Sequence, residues 1–304
     1  MPIGELAAVV AALTWAIGSI LFANIGKTVP PGAMNLGKLL VAGSLLTLTH
    51  AILSMVHGQP VFPIGLPTRA LLLLSASGVV GLTIGDTAYF AAMEELGVSR
   101  AILLLSTAPV FAALGGYLWM GESLDRRAML GMMLTVAGVS LVIARGTEAR
   151  TQQTIERRAS PRGIVLGLIS ALGQAGGSLL SRRAMQSGID PLAASAGRIV
   201  VGGVGVVLVA LVTRRGVVWL RALAKDRAWT KVTIGALLGT YAGIWLAQIA
   251  LSRASSTGAA ATLLATPPVF ALPLAHFLKL DRVTKLGVVG ASIALVGVAV
   301  LSSR

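Results

Sequence analysis

Apolar residues along this chain neither alternate nor fall into narrow stripes. They fill long continuous runs, each closed by a short stretch rich in Gly, Pro or charge. Ten runs can be laid out, at residues 6–23, 33–55, 70–92, 99–120, 127–144, 163–181, 191–212, 231–251, 256–278 and 284–302. Each approaches the roughly 20 residues that a helix needs to cross a hydrocarbon core of about 30 Å while satisfying its own backbone hydrogen bonds. A membrane β-barrel would show alternating segments of about 10 residues. The pattern therefore predicts an all-α integral membrane protein with ten transmembrane helices. Turn residues punctuate the runs at Pro30 and Pro31, Gly58 and Pro60, Gly121 and Asp125, and Gly188 and Pro191. The first run has no basic segment ahead of it and no cleavage site, so it reads as a retained span. The longest polar stretch, 145–162, reads as a mobile surface linker near the middle of the chain.

Composition agrees with the bilayer as solvent. Charged residues make up 12% of the 304, against roughly 25% in soluble domains. The formal net charge of +14 lies in short loops between apolar runs and not on one solvated face, so it reports membrane orientation and predicts no nucleic-acid partner. There is no cysteine, which excludes disulfide frameworks, thiol catalysis and cysteine-held metal.

The second half repeats the first. At an offset of 159, residues 4–19 and 163–178 share six identities in sixteen. At 160, Pro31 meets Pro191, Lys38 meets Arg198 and Gly43 meets Gly203. Gly81 and Gly85 fall on Gly239 and Gly243 at 158, and Pro109, Val110 and Phe111 fall on Pro268, Val269 and Phe270 at 159. Five spans per copy is an odd number, so consecutive copies cross the membrane in opposite senses. That is an inverted-topology repeat, which secondary transporters use to hold a substrate site near the midplane.

Leu96, Gly97, Val98, Ser99, Arg100 and Ala101, then Pro109, Val110 and Phe111, Gly121 and Glu122, and Gly131 with Ala137, Gly138 and Val139 form a pattern. It returns as Ser256, Thr257, Gly258 and Ala259, Pro268, Val269 and Phe270, Asp281, and Val296, Gly297 and Val298. This pattern resembles the EamA repeat of the drug/metabolite transporter superfamily, with Asp281 in place of the usual Glu and no charge at Gly258 to match Arg100. The resemblance implies two five-helix repeats over residues 1–146 and 162–304, with a polar linker at 147–161. It also implies a carrier for small metabolites, commonly an exporter, in the plasma (inner) membrane.

Asp86 lies deep in the third run, where a carboxylate is expensive unless it faces a polar cavity or a partner. It is the leading site for a proton or a cationic substrate group, and Asp86→Asn is expected to remove that titration with little effect on folding. Ile244 stands at its repeat position, so such a site is asymmetric. Lys38 and Arg198 read first as basic residues snorkelling to an interface, and second as partners of Asp86 or of an anion. Tyr241, Trp245 and Gln248 fall on one helical face, as do Thr83, Thr87 and Phe90 beside Asp86. Trp15 and its repeat partner Gln174 sit near mid-span. Trp15, Asp86, Thr87, Gln174, Tyr241, Trp245 and Gln248 are the expected lining of a central cavity. The glycine pairs read as close helix contacts, and Pro109, Pro267 and Pro268 as breaks in the fourth and ninth spans.

No metalloprotease, hydrolase or nucleotide-loop motif is present, and His50, His57 and His276 lack ligand spacing. No cofactor or metal is implied. The expected partners are a small-molecule substrate, a coupling proton and membrane lipid. The rival reading, a membrane-embedded enzyme acting on a lipid or lipid-linked intermediate, requires convergent acids or ligands at one membrane face. Loops after odd-numbered spans hold 17 basic residues, Lys38 included, against 7 for the other loops and termini. Counted this way the odd loops are cytoplasmic, whereas the family resemblance implies cytoplasmic termini.

Overall fold

The computed structural model describes residues 3–26, 28–58, 67–121, 124–145, 147–149, 160–225, 227–253 and 263–302. Its elements in order are α1 (Ile3–Ile25), α2 (Pro31–Val56) and α3 (Thr68–Ser77), which runs through a first π segment (Gly78–Gly85) into α4 (Asp86–Leu96). Then come α5 (Val98–Leu105), α6 (Ala108–Met120), α7 (Arg126–Arg145) and β1 (Thr147–Ala149). The second half has α8 (Pro161–Met185), α9 (Pro191–Val212), α10 (Gly216–Ala224), and α11 (Ala228–Ala236) running through a second π segment (Leu237–Ala242) into α12 (Gly243–Arg253). It closes with α13 (Pro267–Phe277), β2 (Asp281–Val283) and α14 (Lys285–Ser302).

Local chemistry sets the helix ends. Pro161 and Pro191 open α8 and α9, where a missing N–H costs nothing. Asp190 Oδ1 accepts from the amides of Leu192 at 2.9 Å and Ala193 at 3.1 Å. Gly97, with φ of +83°, turns α4 into α5 in a single residue, a conformation closed to ordinary side chains. The fourth span breaks at Ser106 and Thr107, just ahead of Pro109. Pro267 and Pro268 likewise open α13.

Among the described residues, six helices are long and apolar enough to cross a membrane: Ile3–Ile25, Pro31–Val56, Thr68–Leu96, Val98–Trp119, Pro161–Met185 and Leu192–Val212. The other four predicted spans are mostly helical in their described parts but do not stand among these six. Large apolar side chains such as Leu48, Leu72, Leu118 and Val212 are exposed on the outer faces, as a lipid-facing surface requires. One departure from an all-helical chain is small. The first three linker residues, β1, pair antiparallel with β2, with Thr147 opposite Val283 and Ala149 opposite Asp281. The linker is therefore tied down at its start and is not wholly a free surface segment. Its remainder at 150–159, together with Glu122, Ser256, Thr257, Gly258 and Ala259, lies outside the described residues.

The most extensive helix contacts join the two halves, and they come in reciprocal pairs. The first span, α1, packs on α11, the second π segment, α12 and α13; its counterpart α8 packs on α3, the first π segment, α4 and α6. Helices α2 and α9 pack together, as do α7 and α14. Close approaches give the direction. A side chain at Gly43 would meet Ile199 and one at Gly203 would face Leu39; one at Gly138 would strike Ala294 and one at Gly297 would strike Thr135. Rising residue number on one helix thus meets falling number on its equivalent, so α2 runs antiparallel to α9 and α7 to α14. Such self-complementary contacts are the mark of a two-fold relation.

Candidate functional site

The π segment shapes the site. Within it the Asp86 amide donates to the Gly81 carbonyl, five residues back, instead of to Leu82. The Leu82 carbonyl, released from that bond, accepts from Asn35 Nδ2 of α2 at 2.8 Å. The same amide nitrogen donates to Thr87 Oγ1 at 2.9 Å. One helical turn further along α2, the Lys38 ammonium forms a direct ion pair with Asp86 Oδ2 and lies 5.4 Å from the centre of the Phe90 ring. Side-chain exposure is 8% for Lys38 and 14% for Asp86, so Lys38 is buried and Asp86 largely shielded.

Three further bonds hold this region to its surroundings. Ser77 Oγ donates to the Gly177 carbonyl at 2.5 Å, Thr83 Oγ1 to the Gly202 carbonyl at 2.9 Å, and Tyr89 Oη to Ser19 Oγ at 3.1 Å. Arg198 extends from α9 over Gly81: its Nη2 lies 3.2 Å from where a side chain on that glycine would start, and the charge of Asp86 bears on it.

A second group surrounds the second π segment. Tyr241 Oη and Thr49 Oγ1 of α2 are 3.0 Å apart, and the Tyr241 and Trp245 rings meet edge to face at 5.7 Å. Trp15 fills the space that a side chain at Gly243 would need. The Gln174 backbone runs beside Gly85, next to Asp86. Gln248 lies on the same helix as Trp245, and its side chain lies outside the described residues.

The expected lining residues thus form two groups and not one shell. Lys38 and Thr49, their anchors on α2, are eleven residues apart, about 16 Å along a helix. Arg198 lies between them, because its neighbour Ile199 abuts Gly43. Trp15, Asp86, Thr87, Gln174, Tyr241 and Trp245 are all half-buried, neither sealed in the core nor open to the exterior.

Three expectations are corrected here. Lys38 does not snorkel and is not a loop charge: it points inward to Asp86, because α2 starts at Pro31 and carries it a full two turns inside. Thr83, Thr87 and Phe90 do not share a face. Thr83 turns to α9, Thr87 to α2 and Phe90 to Phe22 of α1, because the π segment shifts the helical phase between Thr83 and Thr87. Asp86→Asn would not spare folding, since it leaves the buried Lys38 charge unpaired.

Asn35 was missed as a site residue. Its signal was its place three residues before Lys38 in an apolar helix, matched in the second half by Ser195 three before Arg198.

Comparison with known proteins follows the same division. The model of the EamA-like transporter family matches the chain twice, at residues 2–144 and 161–303. An uncharacterized transporter of Archaeoglobus fulgidus is 26% identical over 146 residues, covering 48% of this chain and 50% of that protein. A WAT1-related chloroplastic protein of Arabidopsis thaliana is 26% identical over 142 residues, 46% of this chain and 33% of that one. The matched stretches thus span half or less of these relatives. A solved crystal structure superposes with a TM-score of 0.64 over 98% of this chain and 95% of its own at 16% identity, a likeness of fold alone. With the family's repeat matched across both halves, this multi-pass membrane protein belongs to the EamA-like transporter family.

Proposed function

We propose that the protein is a secondary transporter, not an enzyme, which exports a small organic metabolite across the plasma membrane by alternating access. In this reading all ten predicted helices cross the bilayer as two inverted five-helix halves, residues 1–146 and 162–304, with lipid around their apolar faces. The observation that carries it is the reciprocal, antiparallel packing of equivalent helices around buried charges. Halves related in this way can exchange conformations, and the exchange moves the opening from one side of the membrane to the other. The Lys38–Asp86 pair sits where α2 meets α4, with the other half packed against both helices. Protonation of Asp86 would break the pair, which makes it the coupling element. Trp15, Thr87, Gln174, Tyr241 and Trp245 line the path on either side, with Arg198 between.

Two measurements test this. Because the chain has no cysteine, Thr28→Cys and Ser187→Cys can each be labelled alone. These exposed positions follow the equivalent helices α1 and α8, so an impermeant thiol reagent should reach them from opposite sides, Thr28→Cys from the cytoplasm. Labelling from one side would defeat the inverted topology. In proteoliposomes a carrier gives saturable flux with counterflow, whereas a leak that rises linearly with concentration would mark a pore.

A further inference from the structure

Lys38 and Arg198 hold the same place in the two halves, yet among the described residues Lys38 has a counter-ion of its own and Arg198 does not. Lys38 on α2 pairs with Asp86 at the start of α4. The same relation applied to Arg198 on α9 leads to the start of α12, where Ile244 stands. Among the described residues the Nε of Arg198 is fully buried without a hydrogen-bond partner, and its guanidinium stands in neither of the two ion pairs. The acid whose field reaches it, Asp86, is already engaged by Lys38. Among the described residues around this pair, two positive charges therefore meet one negative charge, and the excess lies on Arg198.

Its position is built. Gly78 packs so closely on α9 that a side chain there would come within 2.5 Å of the Arg198 carbonyl, and Gly81 leaves room for the guanidinium. An unpaired cation is expensive at such depth unless a partner of opposite sign comes to it. A guanidinium also differs from the ammonium at Lys38 in its planar fork of donors, which fits a carboxylate or phosphate with two parallel bonds.

We propose that Arg198 is the substrate-charge site and that the transported compound is a small organic anion, held through a carboxylate or phosphate group. This rests on the transporter reading above and changes the expected sign of the cargo. Asp86 is the internal counter-ion of Lys38, so the charge left to recognise a substrate is positive.

The test uses purified full-length protein in detergent at constant ionic strength, with thermal unfolding as the readout. Acetate and benzoate form the carboxylate arm, inorganic phosphate and phenyl phosphate the phosphate arm, and methylammonium and benzylammonium the cationic arm. At least one anion arm should stabilise the protein saturably, and the arm that saturates at lower concentration names the group. The cations should give no saturable shift. Arg198→Gln should weaken anion binding by roughly 10- to 100-fold, as loss of charge-assisted hydrogen bonds does. It should unfold no more easily than the parent, because it removes an unpaired buried charge; Arg198→Lys should bind with intermediate affinity.

Saturable stabilisation by cations alone, no saturable shift with any anion at millimolar concentration, or equal anion binding in Arg198→Gln would each overturn the proposal. Flux of the same probes in proteoliposomes separates it from the reading beneath it. Anion binding that depends on Arg198 without flux of that anion sinks the transporter and leaves the anion site standing. Flux of a cation without anion binding does the reverse.

Discussion

The two π segments occupy the same place in the two halves and do opposite things. The first, Gly78–Gly85, is clamped. Gly177 approaches Gly81 and Gly173 approaches Gly85, Ser77 and Thr83 bond to carbonyls of the other half, and the helix resumes at a charged residue. The second, Leu237–Ala242, has no buried residue, one glycine contact to Gly18, and a large ring, Trp15, where the first has Gly173 and the Gln174 backbone. Its helix resumes toward Ile244 and an aromatic pair. A repeated backbone is thus divided by side chains into a tight, charged region and a looser, aromatic one. The lesson concerns where polarity can be placed: a buried charge pair needs fixed geometry to offset its desolvation, and the close glycine contacts supply it.

The largest effect should come from breaking the charged side of this comparison. Asp86→Asn leaves Lys38 buried and unpaired and should cost about 3–5 kcal/mol of stability. The double change with Lys38→Met should recover most of that loss, and a double-mutant cycle from unfolding in detergent reads the coupling. At the equivalent position Ile244→Val should cost only about 0.5–1.5 kcal/mol. Equal losses at the two positions would mean that the pair is not the difference between the halves.

Backbone approach should come next. Gly177→Ala would put a carbon 2.9 Å from the Gly81 Cα, and Gly18→Ala one 2.5 Å from the Gly239 Cα. Each should cost about 1–3 kcal/mol in thermal unfolding. Gly203→Ala, whose nearest neighbour is Leu39 Cβ at 3.9 Å, should stay within about 0.5 kcal/mol. A neutral Gly18→Ala beside a costly Gly177→Ala would show that the second segment yields and the first does not. Among the changes that remove an interaction the smallest effect belongs to Tyr241→Phe, which loses the bond to Thr49 and should cost about 0.6 kcal/mol, the average for a hydrogen bond between membrane helices. A loss of several kcal/mol there would place the aromatic region among the rigid parts of the protein.

Most of the architecture was legible in the residues. Helix, span and repeat are local or periodic properties: a backbone in lipid must satisfy its hydrogen bonds within each segment, so runs of apolar residues closed by Pro and Gly are enough to place the elements. The equivalence of Lys38 with Arg198, and the lack of an acid opposite Asp86, could be read by sliding one half over the other. What the residues alone left open was which charges meet. Lys38 and Asp86 are 48 positions apart, and their encounter depends on how α2 crosses α4. The π segments were equally unreadable, because an extra residue per turn leaves no mark in hydropathy yet shifts the phase of every side chain after it, which is why Thr83 and Thr87 part company. Sequence determined which groups are available in the membrane interior. Only the packing of helix against helix decided which of them are paired, and so left the surplus charge on Arg198, since a charge is satisfied by distance in space and not by distance along the chain.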